Sequence, residues 1–165
     1  SSLTSCALTR MLFKEHYHLS PHYTQWNTQC DISRTDTDAV LIIGDNAMKV
    51  SENGYVTLDL GQAWFEYTGR PFVYALWVVK KGRRVPGINK LLKDAKAAGI
   101  RSVRELAATE SHRLQLTEER CLNYLTNSIR YNLGKDEIEG LQAFYEHAVS
   151  LGLAPKGVEI VFNDT

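Results

Sequence analysis

Two uninterrupted apolar runs constrain the fold of this chain more than any other feature. The first covers residues 39–43 and ends at Gly44, and the second covers residues 72–79 and ends at four charges around Gly82. Short continuous runs rich in β-branched and aromatic residues are typical of strands covered on both faces. Strands of this kind belong to mainly parallel sheets with helices packed on both sides.

Helical patterns alternate with these runs. We predict helices over residues 3–17, 60–67 and 86–98. Two further helices are predicted, one from Thr117 to about Leu133 and one from Asp136 to about Gly152. Weaker strand patterns cover residues 22–27 and 55–59. The alternation predicts an α/β fold, whose ligands bind at the carboxyl ends of strands and at helix N-termini.

Charge and cysteine content narrow the function. The chain has 165 residues, 44% of them apolar, which is enough for one domain or one large lobe. Lysine plus arginine and aspartate plus glutamate each number 19, so no global field attracts nucleic acid or an acidic membrane, and the basic cluster at residues 80–84 is short. Three widely spaced cysteines argue against a disulfide framework and favour a cytoplasmic location. We expect neither a nucleic-acid nor a membrane partner.

The first candidate site is the hydroxyl-rich segment Ser2-Leu3-Thr4-Ser5 at the start of the first predicted helix. Unpaired backbone N–H groups and the helix dipole can hold a carboxylate or phosphate there without a lysine. The alternative is that these hydroxyls only cap the helix, which is the commoner role of such a cluster.

The second candidate is the Gly44-Asp45 turn, which follows a predicted buried strand. A carboxylate at this position of an α/β sheet can orient a hydroxyl or move a proton, so Asp45 is a possible catalytic residue. An equally good interpretation is that Asp45 caps a short helix over residues 46–50.

The histidines do not predict a metal site. His16 and His18 are two apart at a helix end and would not share a face, so they and His22 indicate a solvated loop cluster. His112 and His147 each stand alone, and we assign neither a catalytic role.

The order of several segments resembles the chorismate dehydratases of the futalosine route to menaquinone. Besides Ser2–Ser5, the matching segments are 41–48 (LIIGDNAM), 58–64 (LDLGQAW), 68–77 (TGRPFVYALW), 131–134 (YNLG) and 140–145 (GLQAFY). The block from the Gly44-Asp45 turn to Trp77 is the specific part. The sister enzyme that makes a dihydroxynaphthoate carries a histidine where this chain has Gly44-Asp45, and it is less similar.

The resemblance implies a two-lobed α/β fold of the periplasmic-binding-protein type, in which the ligand lies between lobes. It implies a ligand-holding α/β lobe over residues 1–70, and a crossing strand with a C-terminal helical part over residues 71–165. It also implies chorismate as the small carboxylate substrate, no metal and no organic cofactor. Ser2, Leu3, Thr4, Ser5, Gly44 and Asp45 would border the substrate.

Two further expectations concern the activity of this chain. Because the helical pattern begins directly at Ser2, we expect an upstream part of the natural protein to be absent, together with an asparagine that the family uses. We therefore expect this chain alone to be inactive. A non-catalytic carboxylate-binding protein of the same fold is the competing class, because fold does not fix function.

Overall fold

The computed structural model describes residues 2–26, 32–50, 54–80, 82–83 and 85–161, and its regular structure there is helical. Two helices continue into a π-helical turn: α1 (Leu3–Met11) into Leu12–His16, and α6 (Glu118–Asn123) into Tyr124–Ser128. A 3-10 turn covers Ile32–Arg34. The other helices are α2 (Asp45–Lys49), α3 (Leu60–Thr68), α4 (Ile88–Arg101), α5 (Val103–Leu114) and α7 (Lys135–Ser150).

Several helix ends lie where the sequence predicts them. Ser2 caps α1, and Thr117 caps α6 by accepting a hydrogen bond from the Arg120 N–H at 3.2 Å. Gly69 ends α3 in the left-handed conformation, with φ of 68°, which a glycine adopts without steric cost. These ends are set by local chemistry, and local chemistry is visible in the sequence.

Other helices differ from the prediction. Helix α4 begins at Ile88 and runs through Gly99 to Arg101, so that glycine does not end it. Helix α7 begins at Lys135 instead of Asp136, because Glu137, not Glu139, accepts the Gly134 N–H at 2.8 Å. The segment after α6 leaves helical structure at Ser128 and not at Leu133, and α5 was not delineated from the sequence at all.

The predicted strands are not formed among the described residues. Residues 22–26, 39–43, 55–59 and 72–79 have neither helical nor strand structure, and residue 27 lies outside the described part of the chain. Trp77 and Val78 are 85% and 83% exposed, although we predicted a covered run. Apolar composition predicts that a segment prefers a sheet, but a strand also needs a hydrogen-bonding neighbour, which composition does not supply. The α/β, periplasmic-binding-protein-like fold therefore stays a prediction.

The chain forms two compact units. One consists of Ser1–Tyr74 with Gly134–Ile160, and the other contains Ala75–Leu133. The predicted lobe boundary near residue 70 stays a prediction.

The first unit has an apolar core where α1, α3 and α7 meet. Trp64 of α3 is fully buried there, in edge-to-face contact with Phe72 and Phe144 at centroid distances of 5.8 and 5.9 Å. The other buried members of this cluster are Leu8, Met11, Leu12, Ala63 and Ala148. The core fixes the direction of α1 and thereby places its hydroxyl-bearing first turn.

Helix α7 approaches the segment before Phe72 very closely. A methyl group at Gly140 would collide with the carbonyl oxygen of Pro71. Only a residue without a side chain lets the two backbones meet at this point. This approach helps bring Phe72 against Phe144, whose ring centroids are 5.0 Å apart.

Candidate functional site

The first turn of α1 is organised by two serines. Ser2 Oγ accepts a hydrogen bond from the Ser5 backbone N–H at 3.2 Å, and the Ser5 hydroxyl donates to the same oxygen at 3.1 Å. One turn later, the Thr9 hydroxyl donates to the Ser5 carbonyl at 2.9 Å. The structure thus brings Ser2 and Ser5 together, and Ser2 does act as a cap, as the structural alternative proposed.

Capping leaves donors available in this turn. An α-helix gives its first N–H groups no carbonyl partner, and with Ser5 N–H on Ser2 Oγ those of Leu3 and Thr4 remain. Thr4 is half-buried and Leu3 is 85% exposed. The first turn contains no acidic residue, so no carboxylate of that turn opposes the attraction of an anion to the positive end of the helix dipole. Capping and anion binding are therefore compatible here.

Gly44 and Asp45 lie at the start of α2. Gly44 occupies the N-cap position with φ of 62° and ψ of −144°, and Asp45 is the first helical residue, with an exposed side chain. The suggestion that Asp45 itself caps a helix over residues 46–50 is wrong by one position. Its carboxylate lies in the first turn of the helix, where a negative charge is favourable.

The two candidate segments belong to the same compact unit. That unit has two described clefts: one of about 390 Å³ lined by residues from Ile32 to Val40 with Gly54 and Tyr55, and one of about 380 Å³ beside α1. Among the residues that the structure describes, neither cleft is lined by Ser2–Ser5, Gly44 or Asp45. A shared substrate cleft of these residues therefore stays a prediction.

A third cluster was missed by the sequence analysis. Glu15 Oε2 lies 2.7 Å from His147 Nδ1, and this contact ties the end of the first helix to α7. Both side chains are partly buried, at 21% and 30% exposure. His147 therefore does not stand alone, although 132 residues separate it from its partner along the chain.

Aromatic rings surround this pair. The His147 ring lies 5.9 Å from Trp64 and 5.6 Å from Tyr67, measured between centroids. Burial raises the pKa of the Tyr67 phenol above its usual value, and the charge of Glu15 and a hydrogen bond with it raise this pKa further. The cluster therefore joins the first helix, α3 and α7 at one partly buried site.

The histidines near the end of the first helix are not all solvated. His16 packs its ring 4.6 Å from Tyr17 and 5.2 Å from Tyr67, whereas His18 and His22 are exposed. Within the described residues, no group of three or more histidine, cysteine, aspartate or glutamate side chains is placed to hold a metal ion. None of the helices in that part of the chain is long and apolar enough to cross a membrane.

Comparison with known proteins decides the family. A family model described as menaquinone biosynthesis matches residues 1–150. The chain belongs to the menaquinone biosynthesis family. The resemblance to proteins of menaquinone biosynthesis that was predicted from the sequence is thereby confirmed.

One relative in the menaquinone biosynthesis family is close enough to name. A chorismate dehydratase of Thermus thermophilus is 32% identical over an aligned length of 172 residues, and the match covers 93% of this chain. The chain spans 62% of the length of that relative.

Proposed function

We propose that this chain contributes to the dehydration of chorismate in menaquinone biosynthesis, yielding 3-(1-carboxyvinyloxy)benzoate. The observation that carries the proposal is the 32% identity with a chorismate dehydratase over nearly the whole chain. The family match to residues 1–150 supports the same pathway. In this proposal the enzyme is a carbon–oxygen lyase that acts in the cytoplasm.

The geometry of α1 suits one part of this task. Chorismate carries two carboxylates, and the free N–H groups of Leu3 and Thr4 can donate to one of them at the positive end of the helix dipole. Because Ser2 and Ser5 bond to one another, they hold the turn in shape before the substrate arrives. The segment is thus preorganised for an anion, which lowers the entropic cost of binding.

The reaction places modest demands on the protein. Chorismate loses its ring hydroxyl and a ring hydrogen as water, and the ring becomes aromatic, so product stability drives the step forward. The enzyme must hold the ring in one orientation and assist proton transfer to the departing hydroxyl. Asp45 is our candidate for bordering this group, and no further catalytic residue is assigned.

The proposal includes the periplasmic-binding-protein-like fold, in which two lobes enclose the substrate. Non-catalytic carboxylate binding on the same fold and dihydroxynaphthoate synthesis are the competing functions. The sister synthase is disfavoured because Gly44-Asp45 stands where that enzyme has a histidine.

Turnover separates chorismate dehydration from non-catalytic binding. The gene product that contains this chain is incubated with chorismate, and the product is identified by mass spectrometry. We expect a product lighter by one water, whereas binding without conversion would establish the non-catalytic alternative.

A matched pair of variants tests the role of the first turn in this assay. Thr4→Val keeps the shape of the side chain but removes its hydroxyl, and we expect kcat/KM to fall about tenfold, as for loss of a hydrogen bond to a charged group. Thr109→Val removes a hydroxyl from the exposed side of α5, where it bonds only to the Glu105 carbonyl, and we expect no change. Equal kcat/KM values in both variants would show that the Thr4 hydroxyl does not contact the substrate.

A further inference from the structure

The cleft of about 380 Å³ beside α1 has the composition of a small-molecule site. Arg10 and Lys14 of the first helix line the cleft together with Leu151 and Leu153, which follow α7. Leu19 and Tyr23 also line the cleft. Its volume lies within the range of about 300 to 1,000 Å³ that ligand pockets occupy.

The two charged side chains that line the cleft are both positive. Arg10 and Lys14 are four residues apart on the first helix and line the same cleft. No acidic side chain lines the cleft, and in the described part of the chain no carboxylate forms an ion pair with either cation. In a chain of zero net charge, two such cations form a local attraction for an anion.

Tyr23 fixes one of the two cations. The guanidinium carbon of Arg10 lies 4.4 Å from the centroid of the Tyr23 ring, a cation–π contact that restrains the long side chain. Burial raises the pKa of the Tyr23 phenol, although the charge of Arg10 opposes this. The phenol is therefore protonated at neutral pH and can donate a hydrogen bond.

The apolar wall is also held in place. The Leu153 N–H donates to the Ala148 carbonyl at 2.7 Å, and the Leu151 N–H donates to the His147 carbonyl at 3.1 Å. These bonds fold the chain back at the end of α7 and set both leucines beside the cations. A ligand that fits must then combine an apolar body with a negative group.

We propose that this cleft binds a small aromatic carboxylate, with the ring against Leu151 and Leu153 and the carboxylate between Arg10 and Lys14. This site is distinct from the Ser2–Ser5 turn, and the proposal does not depend on the dehydration reaction. Benzoate is the simplest molecule with both features. Benzamide has the same shape and no charge.

NMR titration of the whole chain with benzoate tests the proposal. The amide resonances of Ser20, Leu151 and Leu153 report on the cleft, whereas those of Leu3 and Thr4 report separately on the helix start. We expect saturable shifts at the cleft amides with benzoate and much smaller ones with benzamide. Absent shifts at the cleft, or equal shifts with the two compounds, would overturn the proposal.

Charge-neutralising variants make the test specific. Arg10→Gln and Lys14→Gln should each raise the Kd measured at the cleft amides by about fivefold, as for loss of an exposed ion pair. The double variant should raise this Kd by at least about tenfold. The control Lys156→Gln neutralises an exposed lysine of the same unit outside the cleft and should leave the Kd unchanged. A double variant that binds benzoate as the unmodified chain does would show that these cations do not form the site.

Discussion

The two units of this chain bury their apolar residues very differently. In the first unit, α1, α3 and α7 enclose large side chains, among them Trp64, Leu8 and Met11, all with no exposed surface. In the second unit, α4 contains no fully buried residue, and the buried positions of α5 are Ala107, Ser111 and Leu114. Burial of large side chains is the main source of stability, so we expect the first unit to be the more resistant to unfolding.

The same contrast bears on function. The Ser2–Ser5 turn and the cleft beside Arg10 both lie on the unit with the larger described core. A binding group is most precise when a packed element holds it. The following predictions test whether the two units differ as their cores suggest.

The largest effect is expected at Trp64. Trp64→Ala removes the central side chain of the first core and should lower the free energy of unfolding by about 3 to 5 kcal/mol. Leu91→Ala in α4 removes a side chain that is 64% exposed and should change it by less than about 0.5 kcal/mol. Denaturant titration followed by circular dichroism measures both free energies of unfolding. Similar losses in the two variants would contradict the proposed difference in core burial between the units.

Two helical glycines give a matched pair of the next size. Gly140→Ala places a methyl group against the Pro71 carbonyl and should destabilise the first unit by about 1 to 3 kcal/mol. Gly99→Ala in α4 meets no atom within 4 Å and should stabilise its helix by about 0.5 to 1 kcal/mol. Opposite signs in thermal melts are the expected outcome. A stabilising Gly140→Ala would mean that α7 does not approach Pro71.

A smaller effect is expected at the pair of Glu15 and His147. Glu15→Gln weakens a partly buried contact and should cost about 1 kcal/mol. In α4, Lys90 and Asp94 form an ion pair whose side chains are 83% and 62% exposed, so Lys90→Gln should cost less than about 0.5 kcal/mol. Equal costs in denaturant titrations would show that burial does not strengthen the first pair.

The smallest effect is a change in the titration of Tyr67. Because Glu15 is the second cause of its raised pKa, Glu15→Gln should lower that pKa while burial still keeps it above the usual value. A raised pKa means that the folded state holds the Tyr67 proton more tightly than the unfolded state does. The free energy of unfolding therefore falls as the pH rises from the usual value of about 10 through the folded pKa. The Tyr67 Cζ resonance followed by NMR measures the change. An unaltered Tyr67 pKa in Glu15→Gln would show that Tyr67 does not interact with Glu15.

Local signals in the sequence predicted part of this structure. Ser2, Gly69 and Thr117 mark helix ends correctly, because a cap depends on residues within one turn. The apolar runs at 39–43 and 72–79 did not yield strands, because a strand is completed by a neighbour that may come from any part of a chain. Apolar composition alone therefore predicted strands that these two segments do not form in the described part of the chain.

The candidate site shows the same division. Hydroxyls at a helix start are visible in the sequence, and the structure places Ser2 and Ser5 within hydrogen-bonding distance. The pair of Glu15 and His147 could not be found, because nothing local links residues so far apart. Only the packing of α7 against the first helix brings them together.

The central proposal is that the Leu3 and Thr4 N–H groups in the first turn of α1 bind a carboxylate of chorismate. The most direct test is to titrate the chain with chorismate and follow its backbone amides by NMR. We predict saturable shifts at Leu3 and Thr4 that give one common Kd. Unmoved Leu3 and Thr4 amides at a chorismate concentration that shifts resonances elsewhere in the chain would contradict the claim.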